Sequence, residues 1–245
     1  MTRLVGAELL KVRTTRLFLW LGLLTLALET LVIALHAAQD SLFSLGEPRQ
    51  QRDVVSIAAV SALISLILGI VASAGEFSHG TIGQTFLVAP VRERVAAAKL
   101  IAGAFAGFVL AVIACAFAWG LAALLLTARS VTLHLGSGSA VRVALGTILA
   151  AALTGAFGIG LGALLRRQTA AIVIALVWLL VGEPLLLGIA GVERYGPGRV
   201  IASVVEAGNQ GSDLLSFGAG LGVALLYVAI AGALGTLSLS RADIT

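Results

Sequence analysis

Residues 75–99 read GEFSHGTIGQTFLVAPVRERVAAAK, and they decide how the rest of the sequence is understood. They lie between two charge-free apolar runs, 54–74 and 100–128. A connection between two helices needs only a few residues. This one has internal order. Glu76 follows the first apolar run directly, then comes Gly80-Thr81, then the mostly apolar 82–89. Pro90 breaks that stretch, and Arg92, Glu93, Arg94 and Lys99 lead into the second run. The alternation predicts a short helix lying on a membrane surface or docked to another protein.

The composition says which surface. Of the 245 residues, 59% are hydrophobic and 11% charged, and the mean hydropathy is +1.07. A soluble domain carries about 25% charged residues, so this chain reads as an integral membrane protein. Glycine is abundant, with 29 residues, as expected where helices approach closely in a bilayer. The lone cysteine, Cys115, lies in an apolar run and has no partner for an intrachain disulfide.

Six apolar runs are long enough to span: about 17–38, 54–74, 100–128, 143–165, 169–191 and 214–239. The expected fold is all-α, one transmembrane domain covering 1–245. The basic segment before the first run resembles the start of a signal peptide, but the run is too long for a signal core of about 7–15 residues. Within residues 1–16, Val5, Leu9 and Val12 share one helical face and Glu8 precedes Lys11 by three. That predicts an amphipathic N-terminal helix on the membrane surface. With the N-terminus in the cytoplasm, ten Lys and Arg fall inside and six outside, so the positive-inside rule gives N-in/C-in. Residues 75–99 are then cytoplasmic, and Arg166-Arg167 anchors the cytoplasmic interface. Gly103-x-x-x-Gly107, Gly158-x-x-x-Gly162 and Gly218-x-x-x-Gly222 mark helix-packing surfaces, within one subunit or between two.

Much familiar chemistry is missing from the sequence. There is no phosphate-cradling G-x-x-x-x-G-K-[ST]. No Cys/His cluster offers a metal site, and His36, His79 and His134 are scattered. No basic stripe with interleaved aromatics points to nucleic acid. No catalytic residue is expected. Two acids stand out inside apolar runs, Glu29 and Glu183, the latter followed by Pro184. Counted from the predicted inner boundary, both lie roughly 18–21 Å deep. A charge at that depth costs about 2.5–3.5 kcal/mol on insertion scales, so it faces protein or water. Two readings stand: Glu29 and Glu183 line a path favouring cations, or each packs in a helix interface. Pro184 removes a hydrogen bond to the carbonyl near Leu180, which predicts a kink beside Glu183. In residues 192–213, Val200, Ile201, Val204 and Val205 share a face, which predicts a short helix on the outer side.

The order of these features resembles the membrane subunit of a bacterial type-2 ABC transporter. Such permeases have an amphipathic N-terminal helix, six spans and a cytoplasmic coupling helix between spans two and three. That segment runs Glu, Gly-Thr, Pro, basic residues and a Lys opening span three, here Glu76, Gly80, Thr81, Pro90, Arg92, Arg94 and Lys99. Family members often place a basic residue just after Gly-Thr, where this chain has Ile82-Gly83-Gln84. The resemblance implies a permease, an exporter, sitting in the bacterial cell membrane. It implies partners too: a separate ABC ATPase that binds ATP and magnesium, and a second permease in a homodimer or heterodimer. The rival reading is a self-sufficient secondary carrier or channel using Glu29 and Glu183.

Overall fold

The computed structural model describes residues 1–39, 52–53, 55–89, 91–128, 130, 138–186, 189, 191–205 and 214–240. Among them every regular element is helical. The helices are α1 (Thr2–Thr14), α2 (Arg16–Gln39), α3 (Val60–Ser78), α4 (Ile82–Val88), α5 (Arg92–Ala128), α6 (Gly138–Leu165), α7 (Gln168–Val177), α8 (Glu183–Leu186), α9 (Pro197–Val205) and α10 (Phe217–Ser240). A 3₁₀ turn, Ile57–Ala59, leads into α3, and a π turn, Trp178–Gly182, joins α7 to α8. Six helical stretches are long and apolar enough to cross a membrane: Arg16–Leu35, Ile57–Ser78, Arg92–Ala128, Gly138–Leu165, Gln168–Leu186 and Phe217–Ser238. The chain is thus built as a multi-pass membrane protein.

Several boundaries differ from the sequence expectation. The second span runs on to Ser78, because Glu76 finds partners inside the bundle and does not end the helix. The third begins at Arg92, ahead of position 100, and makes one helix of 37 residues. At 1.5 Å per residue this is roughly 55 Å, longer than a hydrocarbon core of about 30 Å. A helix of that length must tilt or project at an end, and Arg92, Glu93 and Arg94 in its first turn are suited to water. The fourth is already helical at Gly138, so the last part of the expected 129–142 loop is helical. The fifth is helical through Leu186. Pro90 and His134 lie outside the described residues.

Helix α6 is the centre of the bundle, and small residues put it there. Its buried residues include Gly146, Gly155, Gly158, Gly160 and Gly162, which lie on several faces. A Cβ at Gly158 would overlap the Leu66 carbonyl of α3, and one at Gly162 would stand 2.7 Å from the Ile70 carbonyl. From α5, Gly103 and Gly107 press on the Gly155 and Ala151 carbonyls. From α10, Gly235 packs against Gly160. Backbones in such contact gain dispersion energy that lipid tails cannot match, which is how helices associate in a bilayer. The first two of the three expected glycine repeats thus pack within this chain. The third does not: a Cβ at Gly218 or Gly222 would meet nothing within 4 Å.

Gly158→Val should lower stability by about 1–3 kcal/mol through overpacking, read as reduced resistance to denaturant in detergent micelles. Gly222→Val, at an open position, should leave the unfolding midpoint unchanged in the same assay.

Candidate functional site

The end of the bundle that carries residues 75–99 is held together by four charges. On α1, Val5, Leu9 and Val12 are half-buried as the sequence predicts, but Glu8 lies among them and is the buried residue of that helix. The positions 5, 8, 9 and 12 form one stripe at helical spacing. The stripe seats α1 against α5, and Glu8 points at Lys99. The Lys99 ammonium, 3% exposed, donates to Glu8 Oε2 at 2.9 Å and to Glu76 Oε1 at 2.6 Å. Lys11 donates to Glu8 Oε1 at 2.9 Å and to Glu76 Oε1 at 3.0 Å. Two acids and two bases cancel, and they tie together α1, the end of α3 and the start of α5.

Small residues make room for this. Lys99 shares a buried face of α5 with Ala96, Ala98, Ala102 and Gly103. An ammonium there would be strongly unfavourable alone, since removing an ion from water costs several kcal/mol even after relaxation. The acids compensate it. Burial pushes the Glu8 carboxyl up, but the charge of Lys99 and hydrogen bonds from Lys11 and Lys99 outweigh this and hold it below its ordinary 4.5. Burial pushes Lys11 down, but hydrogen bonds to Glu8 and Glu76, with their charges, hold it above 10.5. The stabilisation from Glu8 is complete above its unfolded pKa and is lost as pH falls through the lower folded value. That from Lys11 is complete below 10.5 and is lost as pH rises through its raised value. Between those limits both contributions are present.

The short helix α4 hangs from this cluster. Helix α3 ends where the Thr81 N–H returns to the Glu76 carbonyl at 2.9 Å and the Gly80 N–H to the Phe77 carbonyl at 3.2 Å. Gly80 has φ +69°, a left-handed value that suits glycine and reverses the chain into α4. Lys11 also donates to the Thr85 hydroxyl at 3.4 Å. Ile82 and Ala89 pack on Val95, Ala96 and Ala163. The other side of α4 is open: Gln84 is exposed, and Leu87 is 86% exposed. Glu93 and Arg94 are exposed, whereas Arg92 is half-buried.

Arg166 does more than anchor an interface. It ends α6 with a left-handed φ of 56°. Its guanidinium donates to the hydroxyl and carbonyl oxygens of Ser238 on α10. It also lies 5.8 Å from the centroid of Phe77, next to Glu76. Arg167 is exposed. The sequence singled out the pair without separating a structural arginine from a surface one.

The two buried acids are not equivalent. Glu183 is a helix cap. Its Oε2 accepts from the Gly198 N–H at 2.9 Å and its Oε1 from the Arg199 N–H at 2.6 Å. It therefore satisfies two orphan donors at the start of α9 and neutralises the positive end of that helix. Gly196 and Gly198 fit here because a Cβ on either would stand 2.6 Å from the carboxylate. Pro184 follows the π turn, which absorbs the hydrogen bond the proline lacks, so the expected irregularity is there in that form. Helix α9 is the helix expected within 192–213, and it buries Val200, Ser203, Val204 and Val205. Glu29 is 0% exposed, and among the described residues neither of its oxygens has a hydrogen-bond partner. One turn on, Ile33 packs with Ala58, Cys115 and Ala118. The structure thus brings Glu76 and Lys99 together, adds Glu8 and Lys11 to them, and gives Glu29 and Glu183 different surroundings. No group of three or more His, Cys, Asp or Glu suited to a metal occurs among the described residues.

Two tests follow from these contacts. Lys99→Met leaves Glu8 and Glu76 buried around an apolar side chain and should cost about 3–5 kcal/mol. Lys11→Met, at a half-exposed position, should cost less than about 1 kcal/mol. Denaturant unfolding in micelles measures both. Glu183→Ala removes the acceptor for two amides, and amide hydrogen exchange across Pro197–Val205 should accelerate while exchange in α6 stays unchanged.

No protein-family model matches this sequence, and no curated protein matches it either.

Proposed function

We propose that this chain is the membrane-spanning permease subunit of an ATP-driven ABC transporter, working as an exporter in the bacterial cell membrane. Its N- and C-termini face the cytoplasm, as the distribution of Lys and Arg favours. The chain pairs with a second permease, identical or similar, and each binds a separate ATPase that carries ATP and magnesium.

The observation that supports this reading best is the construction of residues 76–99. A partner that pushes on a membrane protein needs a surface to push on and a stiff connection to the spans. The outer side of α4 supplies the surface, with Leu87 exposed as an apolar anchor of the kind that seats a helix in a partner's groove. The connection runs from Thr85 through Lys11 to Glu76 and Lys99, and so to α3 and α5. Tilting α4 would load two spans and α1 together. The resemblance in motif order, Glu76, Gly80-Thr81, Arg92, Arg94 and Lys99, supports the same reading.

One observation favours the self-sufficient carrier. A buried acid without a partner is what an ion-coupling site in a secondary carrier looks like, and Glu29 is one. Purification separates the two readings. From its native membrane in mild detergent, the wild-type chain should bring down an ATPase in stoichiometric amount. Leu87→Asp should abolish that association while leaving the chain folded and inserted. If the intact chain brings down no ATPase, the permease reading fails and the carrier built on Glu29 replaces it.

A further inference from the structure

We infer that the space between the fifth span and the rest of the bundle is a binding site for the hydrocarbon chain of a membrane lipid. The inference is independent of the permease reading and needs only that the chain lie in a bilayer.

The space arises because the fifth span is held at its two ends. Near its start, Ala171 and Ala175 are buried against Leu66, Ile70 and Ala74 of α3. At its other end Glu183 grips the first turn of α9. Between these ties runs the π turn, in which no residue is buried. Beyond Ala175 the contact loosens: Leu179 still packs, half-buried, on the cluster of Leu66, Ile70 and Ala171, while Trp178 beside it is exposed. The gap is a cavity of ≈ 390 Å³, walled by Leu63, Leu153, Phe157, Leu179 and Val228 among others. A second cavity of ≈ 470 Å³ adjoins it and shares Phe157, Leu161, Trp178, Pro197 and Tyr227. Ligand sites usually measure about 300–1,000 Å³. Trp178, 46% exposed, lines both cavities and is open to the surroundings of the bundle.

The chemistry of the walls selects the occupant. The side-chain hydroxyls that line the first cavity are those of Thr154 and Tyr227, and each already donates a hydrogen bond. Thr154 donates to the Ala62 carbonyl at 2.8 Å, and Tyr227 donates to the Tyr195 carbonyl. A bound water needs two to four polar partners, and a polar solute needs more, so neither is held here. A hydrocarbon chain needs only contact. In a bilayer it is the neighbouring solvent, already removed from water, so entering the space costs no desolvation and gains dispersion contacts that an empty cavity forfeits.

The experiment places the full-length chain in vesicles of phosphatidylglycerol and phosphatidylcholine whose acyl chains carry a mid-chain diazirine. After illumination, labelled residues are mapped by mass spectrometry. Leu153, 8% exposed, is the diagnostic position, because bulk lipid does not reach it. Label is expected on Leu153 and Phe157 as well as on the outward-facing Leu225. Val228→Trp and Leu63→Trp fill the space from opposite walls, and each should reduce the Leu153 label about tenfold, equivalent to about 1.4 kcal/mol. The Leu225 label should not change, and circular dichroism checks that each variant is folded. Label confined to outward-facing residues overturns the inference. So does a Leu153 label that neither substitution in a folded variant reduces.

Discussion

A lysine ammonium at 3% exposure is the constraint on which one end of this bundle depends. Buried without counter-charge it would be untenable, so Lys99 requires acids within hydrogen-bonding reach. One comes from α3 and one from α1, the helix that precedes the first span. The amphipathic N-terminal helix is therefore not merely adsorbed to a lipid surface. Its Glu8 is a structural ligand for a charge on α5, and its Lys11 completes the set by holding both acids and Thr85. Arg166 adds a second set of contacts at the same end, joining the last turns of α6 and α10 to Phe77. The polar end is thereby stiff, while α4 leaves one face uncovered.

Through the apolar part of the bundle the constraint is different. With lipid as solvent, burying leucine gains little, and close backbone approach has to hold the helices. Helix α6 achieves this with glycines on several faces, so α3, α5 and α10 can all lie against it. The fifth span lacks such a seam beyond Ala175. It depends on Glu183 and α9 for its far attachment, and the π turn lies between the two. The tight part of the molecule and the open part follow from one difference in side-chain size.

These two regimes divide the work in the permease reading. Force applied at α4 would pass through charges into α3 and α5, which are clamped on α6. The fifth span, outside that clamp and flanked by an apolar space, is the element with room to move. An exporter needs both a stiff input and a yielding wall, and this chain has residues suited to each.

Run length and hydropathy along the chain are enough to read it as helical, with six stretches built to cross a membrane. Runs of about twenty apolar residues leave few alternatives in a bilayer, where backbone polar groups must be satisfied within the segment. The sequence also located the polar insertion at 75–99, the N-terminal helix, the short helix near 200 and the irregularity before Pro184, since each rests on local periodicity or on proline chemistry. Tertiary structure alone decided what the charges do. Glu8 reads locally as the i,i+3 partner of Lys11, and only the docking of α1 on α5 makes it the partner of Lys99, 91 residues away. The clue was its place inside the Val5–Leu9–Val12 stripe, which helical spacing contains but does not interpret. Glu29 and Glu183 look alike in sequence, each an acid in an apolar run. Glu183 becomes a cap because α9 presents two amides to it, and Glu29 has no donor within reach among the described residues. Likewise nothing in Gly103-x-x-x-Gly107 and Gly218-x-x-x-Gly222 separates a filled seam from an open one. Spacing along a helix fixes which residues share a face, but what lies opposite that face is set by residues far away in the chain.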